Sequence, residues 1–157
     1  MTVEQLARST RTVFELHSES LTGLTLFTSF PLNSCQGASV VFGMLVTLLP
    51  TQHTVTVVKG DTRDGSESHY WLQVDGLVYD LTLDQFQETL GSRFDGINAP
   101  LYGAAKHPLQ MHFFYKERHS AVLAFSIFCH KHANLEEVDA ALQFVRRKLA
   151  THEQQPS

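Results

Sequence analysis

The chain is poor in cysteine, in excess charge and in long apolar runs, and each shortage excludes a class of protein. Two cysteines in 157 residues form no disulfide framework and suit a reducing compartment, although a single bridge between them stays compatible with the composition. Twelve basic and sixteen acidic residues give a formal net charge of −4 without a basic stripe, which argues against nucleic-acid binding. The longest apolar stretch, residues 38–50, is shorter than the about 20 residues that span a bilayer.

The N-terminal residues show neither the cationic segment nor the apolar core of a secretory signal. We therefore expect a cytoplasmic protein, or one delivered into another cell by a signal-independent route. The length predicts one domain over residues 1–150 with a flexible tail at residues 151–157. We expect no cofactor, no nucleic acid and no membrane partner, and the sequence leaves the oligomeric state open.

Apolar periodicity predicts helices at both ends of the chain and near its middle. The middle helix is apolar nearly all round, which is typical of a buried helix. Asn33 and Ser34 are residue types that begin helices, Pro50 ends the middle helix, and Asn134 caps the last one. Residues 21–31 could form a short strand or an extended lead-in. The predicted helices are residues 2–18, 35–49 and 135–149.

The strongest strand signal is a hairpin centred on Asp75-Gly76, a dipeptide that favours a two-residue turn between strands. Residues 91–108 are rich in glycine and proline and predict a long surface loop that could serve as a lid or a contact surface. The apolar segment at residues 120–129 is ambiguous. The predicted strands are residues 53–59, 68–74, 77–81 and, as a further candidate, 109–115. Together these elements predict an α+β fold in which a buried helix packs on an antiparallel sheet.

Cys35 is predicted in the first turn of the buried helix, where unpaired N–H groups and the helix dipole favour thiolate over thiol. The alternative is a small core residue without a role. The Cys35 N–H could form half of an oxyanion hole, and the side-chain amide of Asn33 or of Gln36 could form the other half. Small or polar residues flank the cysteine and would leave a path for a substrate carbonyl: Asn33, Ser34, Gln36 and Gly37.

The predicted hairpin brings a histidine and a carboxylate to one face of the sheet. With a two-residue turn, Trp71 lies opposite Asp80, and His69 lies diagonal to Asp80 on the same face. A carboxylate beside an imidazole fixes its tautomer and stabilises its cation. Trp71 could shield this pair from water or contact the substrate. The competing interpretation is a surface pair of no consequence.

These residues resemble the papain-like clan, and its transglutaminase-like branch most closely. The matching segments are Ser34-Cys35-Gln36-Gly37-Ala38, His69-Tyr70-Trp71 and residues 75–82, so the resemblance covers about a third of the chain. It implies a Cys-His-Asp triad with Cys35 as nucleophile, His69 as general base and acid, and Asp80 as the residue that orients His69. It also implies a papain-like fold, with a nucleophile-bearing helix packed on an antiparallel sheet.

The resemblance implies hydrolysis of an amide in a protein or peptide substrate. The favoured activity is glutamine deamidation of the bacterial effector or toxin type, with limited proteolysis beside it. A transglutaminase-type acyltransferase and an inactive binding or immunity module are the alternatives. The chain departs from the family in lacking a glutamine between residues 24 and 34 for the oxyanion hole. No acidic cluster for calcium is visible, which argues against a calcium-activated transglutaminase.

The chain has nine histidines, which raises the question of a metal site, but their spacing does not support one. The spacing of Cys129-His130 and His132 is not a familiar ligand pattern, so we expect no metal site. Most of the histidines in the second half of the chain are expected on exposed loops and helix ends. The residues considered were His107, His112, His119, Cys129, His130 and His132.

Overall fold

Helices pack with one five-stranded sheet in the part of the chain that the structure describes, residues 1–132 and 134–153 of a computed structural model. This arrangement confirms the α+β class. The helices are α1 (Val3–His17), α2 (Cys35–Thr47), α3 (Gln87–Leu90), α4 (Ala121–His132) and α5 (Leu135–Glu153). The strands are β1 (Val55–Asp61), β2 (Ser68–Val74), β3 (Leu77–Asp80), β4 (Leu101–Ala104) and β5 (Tyr115–Ser120).

The sheet is antiparallel, with the strand order β4-β3-β2-β1-β5. The predicted hairpin is confirmed, because β2 and β3 pair in the expected register, with Leu72 opposite Tyr79 and Val74 opposite Leu77. Its turn residue Asp75 has a φ of 50° and is followed by a glycine at 83°. Positive φ at both central residues is what a two-residue type I′ turn requires.

Both faces of the sheet are covered, because adjacent residues of a strand point to opposite sides. In β1, Val57 belongs to the larger core, which the helices complete, and Val58 belongs to a smaller core on the other face. The buried residues of the smaller core come from the strands and from the segments around β4: Val58, Trp71, Val78, Leu83, Phe86, Phe94, Leu109 and Phe113. The candidate catalytic residues on β2 and β3 therefore face a dry interior.

Helix α2 is buried along most of its length, as its uniform apolar sequence predicts. Its beginning differs from the prediction in detail. Ser34 makes no side-chain cap, and its hydroxyl is buried without a hydrogen-bond partner among the described residues. Asn33 has a φ of 57°, so the chain turns sharply before the helix begins. Packing of α2 against the sheet, rather than side-chain capping, fixes the position of Cys35.

Three predictions about the less regular segments were wrong. Residues 21–31 form turns and a short 3₁₀ helix, Phe27–Ser29, instead of a strand. Residues 91–108 are more than a surface loop, since they contain the edge strand β4 and place glycines with positive φ at its turns. Residues 109–115 form no strand before Tyr115, because Leu109 and Phe113 are one helical turn apart and both enter the smaller core.

The two ends of the chain follow the prediction more closely. Thr2 and Gln5 form a capping box at α1, and the Asn134 carboxamide accepts a hydrogen bond from the N–H of Glu137 at the start of α5. Helix α5 continues to Glu153, so the predicted tail is helical at residues 151–153, and residues 154–157 lie outside the described part. Among the described helices, none has the length and apolar content needed to cross a membrane.

We expect Gly60→Ala to lower the free energy of unfolding by about 1–3 kcal/mol, the usual effect of overpacking a core. Gly60 lies opposite His69, and an added Cβ would come within 2.7 Å of the Trp71 ring and 2.6 Å of the Phe113 side chain. Urea denaturation would measure the loss.

The matched control is Gly37→Ala, because the added methyl group would meet its neighbours at ordinary van der Waals distance. Alanine is also the better helix former by about 1 kcal/mol, so this variant should be as stable as the wild type or more stable. An equal free energy of unfolding for the two variants would show that stability does not depend on the close approach of β1 to Trp71.

Candidate active site

The hairpin places the histidine and the carboxylate together in the smaller core. The side chains of His69 and Asp80 are both 0% exposed, and the Nε2 atom of His69 lies 2.6 Å from Oδ2 of Asp80. The expected contact between these side chains is therefore present, and they are not a surface pair. A contact of this length between a ring nitrogen and a carboxylate is a charge-assisted hydrogen bond.

Asp80 is a buried anion whose oxygens are both hydrogen-bonded. The oxygen Oδ1 accepts from the backbone N–H of Thr82 at 3.0 Å and from its hydroxyl at 3.3 Å. The oxygen Oδ2 accepts from His69 and from a second imidazole, that of His107, at 2.8 Å. Burial by itself raises the pKa of Asp80, but the charge of His69 and the hydrogen bonds from both histidines outweigh it, and the pKa is held well below the usual range.

The pKa of His69 is shifted in the opposite direction, upward. Burial by itself lowers its pKa, but the negative charge of Asp80 and its hydrogen bond outweigh burial and raise the pKa above the ordinary value. The neighbouring Cys35 adds to this increase in the pKa of His69. The environment of His69 therefore favours the imidazolium form, held by the Asp80 carboxylate.

Cys35 lies half-buried in the first turn of α2, as predicted, and borders an open depression of about 260 Å³. Asn33 and Gln36, the two candidates for the oxyanion hole, line the same depression. Trp71 is not part of this lining. It is 2% exposed and packs behind His69, a position that suits shielding and not contact with a substrate.

His107 is the residue of this cluster that sequence reasoning missed. It was expected on an exposed loop, but it is 3% exposed and stacks on Trp71 with ring centroids 4.3 Å apart. Its Nδ1 atom accepts a hydrogen bond from the backbone N–H of Leu109 at 3.1 Å. The segment between β4 and β5 has no apolar periodicity from which a buried histidine could be predicted, so nothing in the sequence indicated it.

Gln85 was also missed, although it borders the same depression as Cys35. Its carboxamide nitrogen lies 3.4 Å from Nδ1 of His69 and 3.2 Å from the Thr82 hydroxyl, while its oxygen accepts from the Asn33 N–H at 3.3 Å. Gln85 therefore joins the segment before α2 to the turn after β3. Gln85 lies five residues after Asp80 in a short 3₁₀ helix, Leu83–Phe86. This position belongs to no sequence motif that would have identified it as a site residue.

A buried arginine fixes the turn that carries Gln85. The guanidinium of Arg11 from α1 makes two hydrogen bonds of 2.8 Å to the carboxylate of Asp84. It also donates to the backbone carbonyl of Leu81. A bidentate pair of this kind specifies orientation as well as distance. Asp84 thus anchors the segment next to the depression.

His69, Asp80 and His107 also have the composition of a metal site, with ligand atoms within 4.8 Å of one another. Their hydrogen bonds do not suit one. Because Nδ1 of His107 accepts a hydrogen bond from Leu109, its ring proton lies on Nε2, the only nitrogen that faces Asp80. A neutral histidine ligand needs that nitrogen free of a proton and carries its hydrogen on the other one.

Comparisons with known proteins add no identification. No protein-family model, no curated protein and no solved structure matches the chain. The papain-like resemblance thus rests on the residues of the sequence, and the function has to be argued from the geometry of the site.

We expect Asp80→Asn to lower the free energy of unfolding at pH 7 by about 3 kcal/mol, because the variant leaves buried imidazoles without their anion. A folded-state pKa below the unfolded value stabilises the fold above about pH 4, and this contribution is lost as the pH falls. The difference between wild type and variant should therefore shrink below about pH 4. Urea denaturation at several pH values would measure it.

Asp75→Asn is the matched control, because Asp75 also pairs with a histidine, His53, at 2.7 Å, but on the surface. Water screens such exposed pairs, and the control should change little. A constant difference between Asp80→Asn and wild type from neutral to acid pH would show that Asp80 is not an anion in the folded protein.

Proposed function

We propose that the chain is a cysteine-dependent amide hydrolase with Cys35 as nucleophile, His69 as general base and acid, and Asp80 as the residue that orients His69. The observation that carries the proposal is the use of the two nitrogens of His69. Asp80 occupies Nε2, so Nδ1 is the nitrogen left for the sulfur of Cys35 and for the Gln85 amide. A nucleophile beside a base that a third group orients is the arrangement of covalent amide hydrolysis.

In the first half-reaction, the Cys35 thiolate attacks the carbonyl carbon of a bound amide, and His69 holds the proton that the thiol has given up. The tetrahedral intermediate collapses when the carbon–nitrogen bond breaks. His69 then donates its proton to the departing nitrogen, and the products are a thioester on Cys35 and ammonia or an amine.

In the second half-reaction, water attacks the thioester while His69 takes one of its protons. The carbon–sulfur bond breaks, the acid is released and the cysteine regains its proton. Donors at the depression stabilise the negative oxygen in both steps: the backbone N–H of Cys35, with a side-chain amide of Asn33, Gln36 or Gln85. Gln85 joins the two predicted candidates because it lies against His69.

The dimensions of the depression favour a small reacting group. Its volume of about 260 Å³ is below the range of about 300–1,000 Å³ that is typical of ligand pockets. A neighbouring pocket of about 200 Å³ shares Gln36 and Tyr70 with it, which leaves room for a flanking residue of a polypeptide. We therefore place glutamine deamidation first and limited proteolysis second, with a protein or peptide as substrate.

The proposal extends to the fold family and to the site of action. The position of Cys35 at the start of a buried helix beside an antiparallel sheet is consistent with a papain-like or transglutaminase-like domain. A nucleophilic thiol has to stay reduced, and both cysteines are free. We propose a reducing compartment such as the cytoplasm, either of the producing cell or of a cell into which the protein is delivered.

The first test is the rate of alkylation of Cys35 by iodoacetamide as a function of pH, read by mass spectrometry. We expect the rate to reach half its maximum well below about pH 8.5, the value for a free cysteine. Cys129 is the internal control, since burial raises the pKa of its thiol. His69→Ala should move the half-maximum of Cys35 toward that of a free thiol.

His53→Ala is the matched control for the histidine variant, because it removes an imidazole that pairs with an aspartate on the surface. Its pH profile should equal that of the wild type. A Cys35 that reacts like a free thiol in the wild type, or that is indifferent to His69→Ala, would remove the nucleophile from the proposal.

The second test is turnover of glutamine-containing peptides and proteins, with mass spectrometry distinguishing deamidation from chain cleavage. We expect Cys35→Ala to lower the rate by about 10³-fold or more, because the nucleophile acts as one unit with its base. Incorporation of an added primary amine would identify an acyltransferase instead. If Cys35→Ala binds a protein partner as well as the wild type and neither turns over any amide, the chain is a binding module.

A further inference from the structure

We propose that His107 is a positioning residue that holds Asp80 as an anion and leaves His69 as the only imidazole of the pair able to accept a proton. This inference rests on the proposed function, since it concerns how the proposed base is tuned. Its observation is separate, however. Two imidazoles donate to one carboxylate oxygen, at 2.6 and 2.8 Å, and their remaining nitrogens meet different partners.

The remaining nitrogen of His107, Nδ1, is occupied by a hydrogen bond from the backbone. Its Nδ1 atom accepts a hydrogen bond from the backbone N–H of Leu109. A backbone N–H can only donate, so it cannot pair with a protonated Nδ1. A second proton on His107 would lie at Nδ1 and would point at that N–H group. The imidazole also stacks on Trp71, so the ring cannot turn away without breaking this packing. The surroundings thus hold His107 in its neutral form with the hydrogen on Nε2.

The remaining nitrogen of His69, Nδ1, lies beside groups that can pair with it whether the imidazole is neutral or charged. The Gln85 amide can donate to Nδ1 when the imidazole is neutral, and the sulfur of Cys35 can accept from it when the imidazole is charged. The charge of Asp80 therefore stabilises a single imidazolium. If both histidines could be charged, they would share that stabilisation and His69 would hold its proton less well.

The titratable groups that face this cluster come from each element packed against it. They are His69 from β2, Asp80 from β3, His107 from the segment after β4 and, beyond His69, Cys35 from α2. The other rings around His69 carry no charge: Trp71, Phe86 and Phe113. Within residues 1–132 and 134–153, Asp80 is thus the only carboxylate placed against either imidazole, and the N–H of His107 is an uncharged donor to it.

Two substitutions at position 107 separate donation from ring packing. His107→Gln keeps an N–H donor near the position of Nε2 but removes the ring, whereas His107→Phe keeps a ring against Trp71 but removes the donor. The readout is the pH of half-maximal alkylation of Cys35. We expect His107→Gln to match the wild type and His107→Phe to move the half-maximum upward by about one pH unit, the effect of one hydrogen bond to a charged group.

The upward direction follows from the loss of a donor in a dry site. Without the N–H of His107, the Asp80 anion is less stable and competes for the proton of His69, so the Cys35 thiolate loses its cation. A profile that changes in His107→Gln and not in His107→Phe would assign His107 a packing role and overturn the proposal. Equal profiles for the two variants, changed or unchanged, would overturn it as well.

Nitrogen-15 NMR of the histidine rings tests the proposal independently of Cys35 reactivity and of how stable the variants are. In the wild type, His107 should carry its hydrogen on Nε2 and keep Nδ1 bare between about pH 5 and 8, the range in which a free histidine changes charge. A hydrogen on Nδ1 of His107 anywhere in that range would overturn the inference. An inert Cys35 beside a His107 with the expected tautomer would instead refute the proposed function alone.

Discussion

The structure depends on one buried charge, the carboxylate of Asp80. An ion this deep in an apolar region is stable only when its oxygens are fully hydrogen-bonded, and Asp80 meets that condition with His69, His107 and Thr82. Each of these donors comes from a different stretch of chain, so the carboxylate fixes the end of β3 against β2 and against the segment after β4. The smaller core, with Trp71 at its centre, closes over this arrangement and keeps water away from it.

A second set of polar contacts builds the depression beside Cys35, which Ser68 and Tyr70, the chain neighbours of His69, also border. Gln85 links Asn33 to His69, and the turn that carries it is fixed by the bidentate pair between Arg11 and Asp84. The opening of the site is therefore connected to α1 as well as to the sheet. This explains why an arginine of an amphipathic surface helix is largely buried: its guanidinium orients a segment next to Cys35 instead of facing water.

The parts that could be predicted from the sequence depend on neighbours close in the chain. The Asp75-Gly76 turn fixes the register of the hairpin, and the register brings His69 and Asp80 to one face. The burial of α2 follows from its uniform apolar pattern. The contact between Asp80 and His107 spans 27 positions and ends in a segment of turns, where no periodicity constrains the side chains. Sequence reasoning therefore found the local pair and missed the long-range donor that makes burial of the carboxylate possible.

The buried cluster is better explained by chemistry than by stability. Burying an ion pair costs desolvation energy that its attraction rarely repays, and apolar residues of similar volume often do as well or better. A fold that needed only a filled core at this place could have extended the surrounding set of aromatic and aliphatic side chains. Instead it maintains an anion with two imidazoles, and the remaining nitrogen of His69 lies beside Gln85, which borders the depression at Cys35. Strongly shifted pKa values concentrate where proton transfer is the function. The asymmetry between the two histidines strengthens this argument, because a purely structural pair would have no reason to occupy one imidazole with a backbone N–H and leave the other beside the Gln85 amide and Cys35.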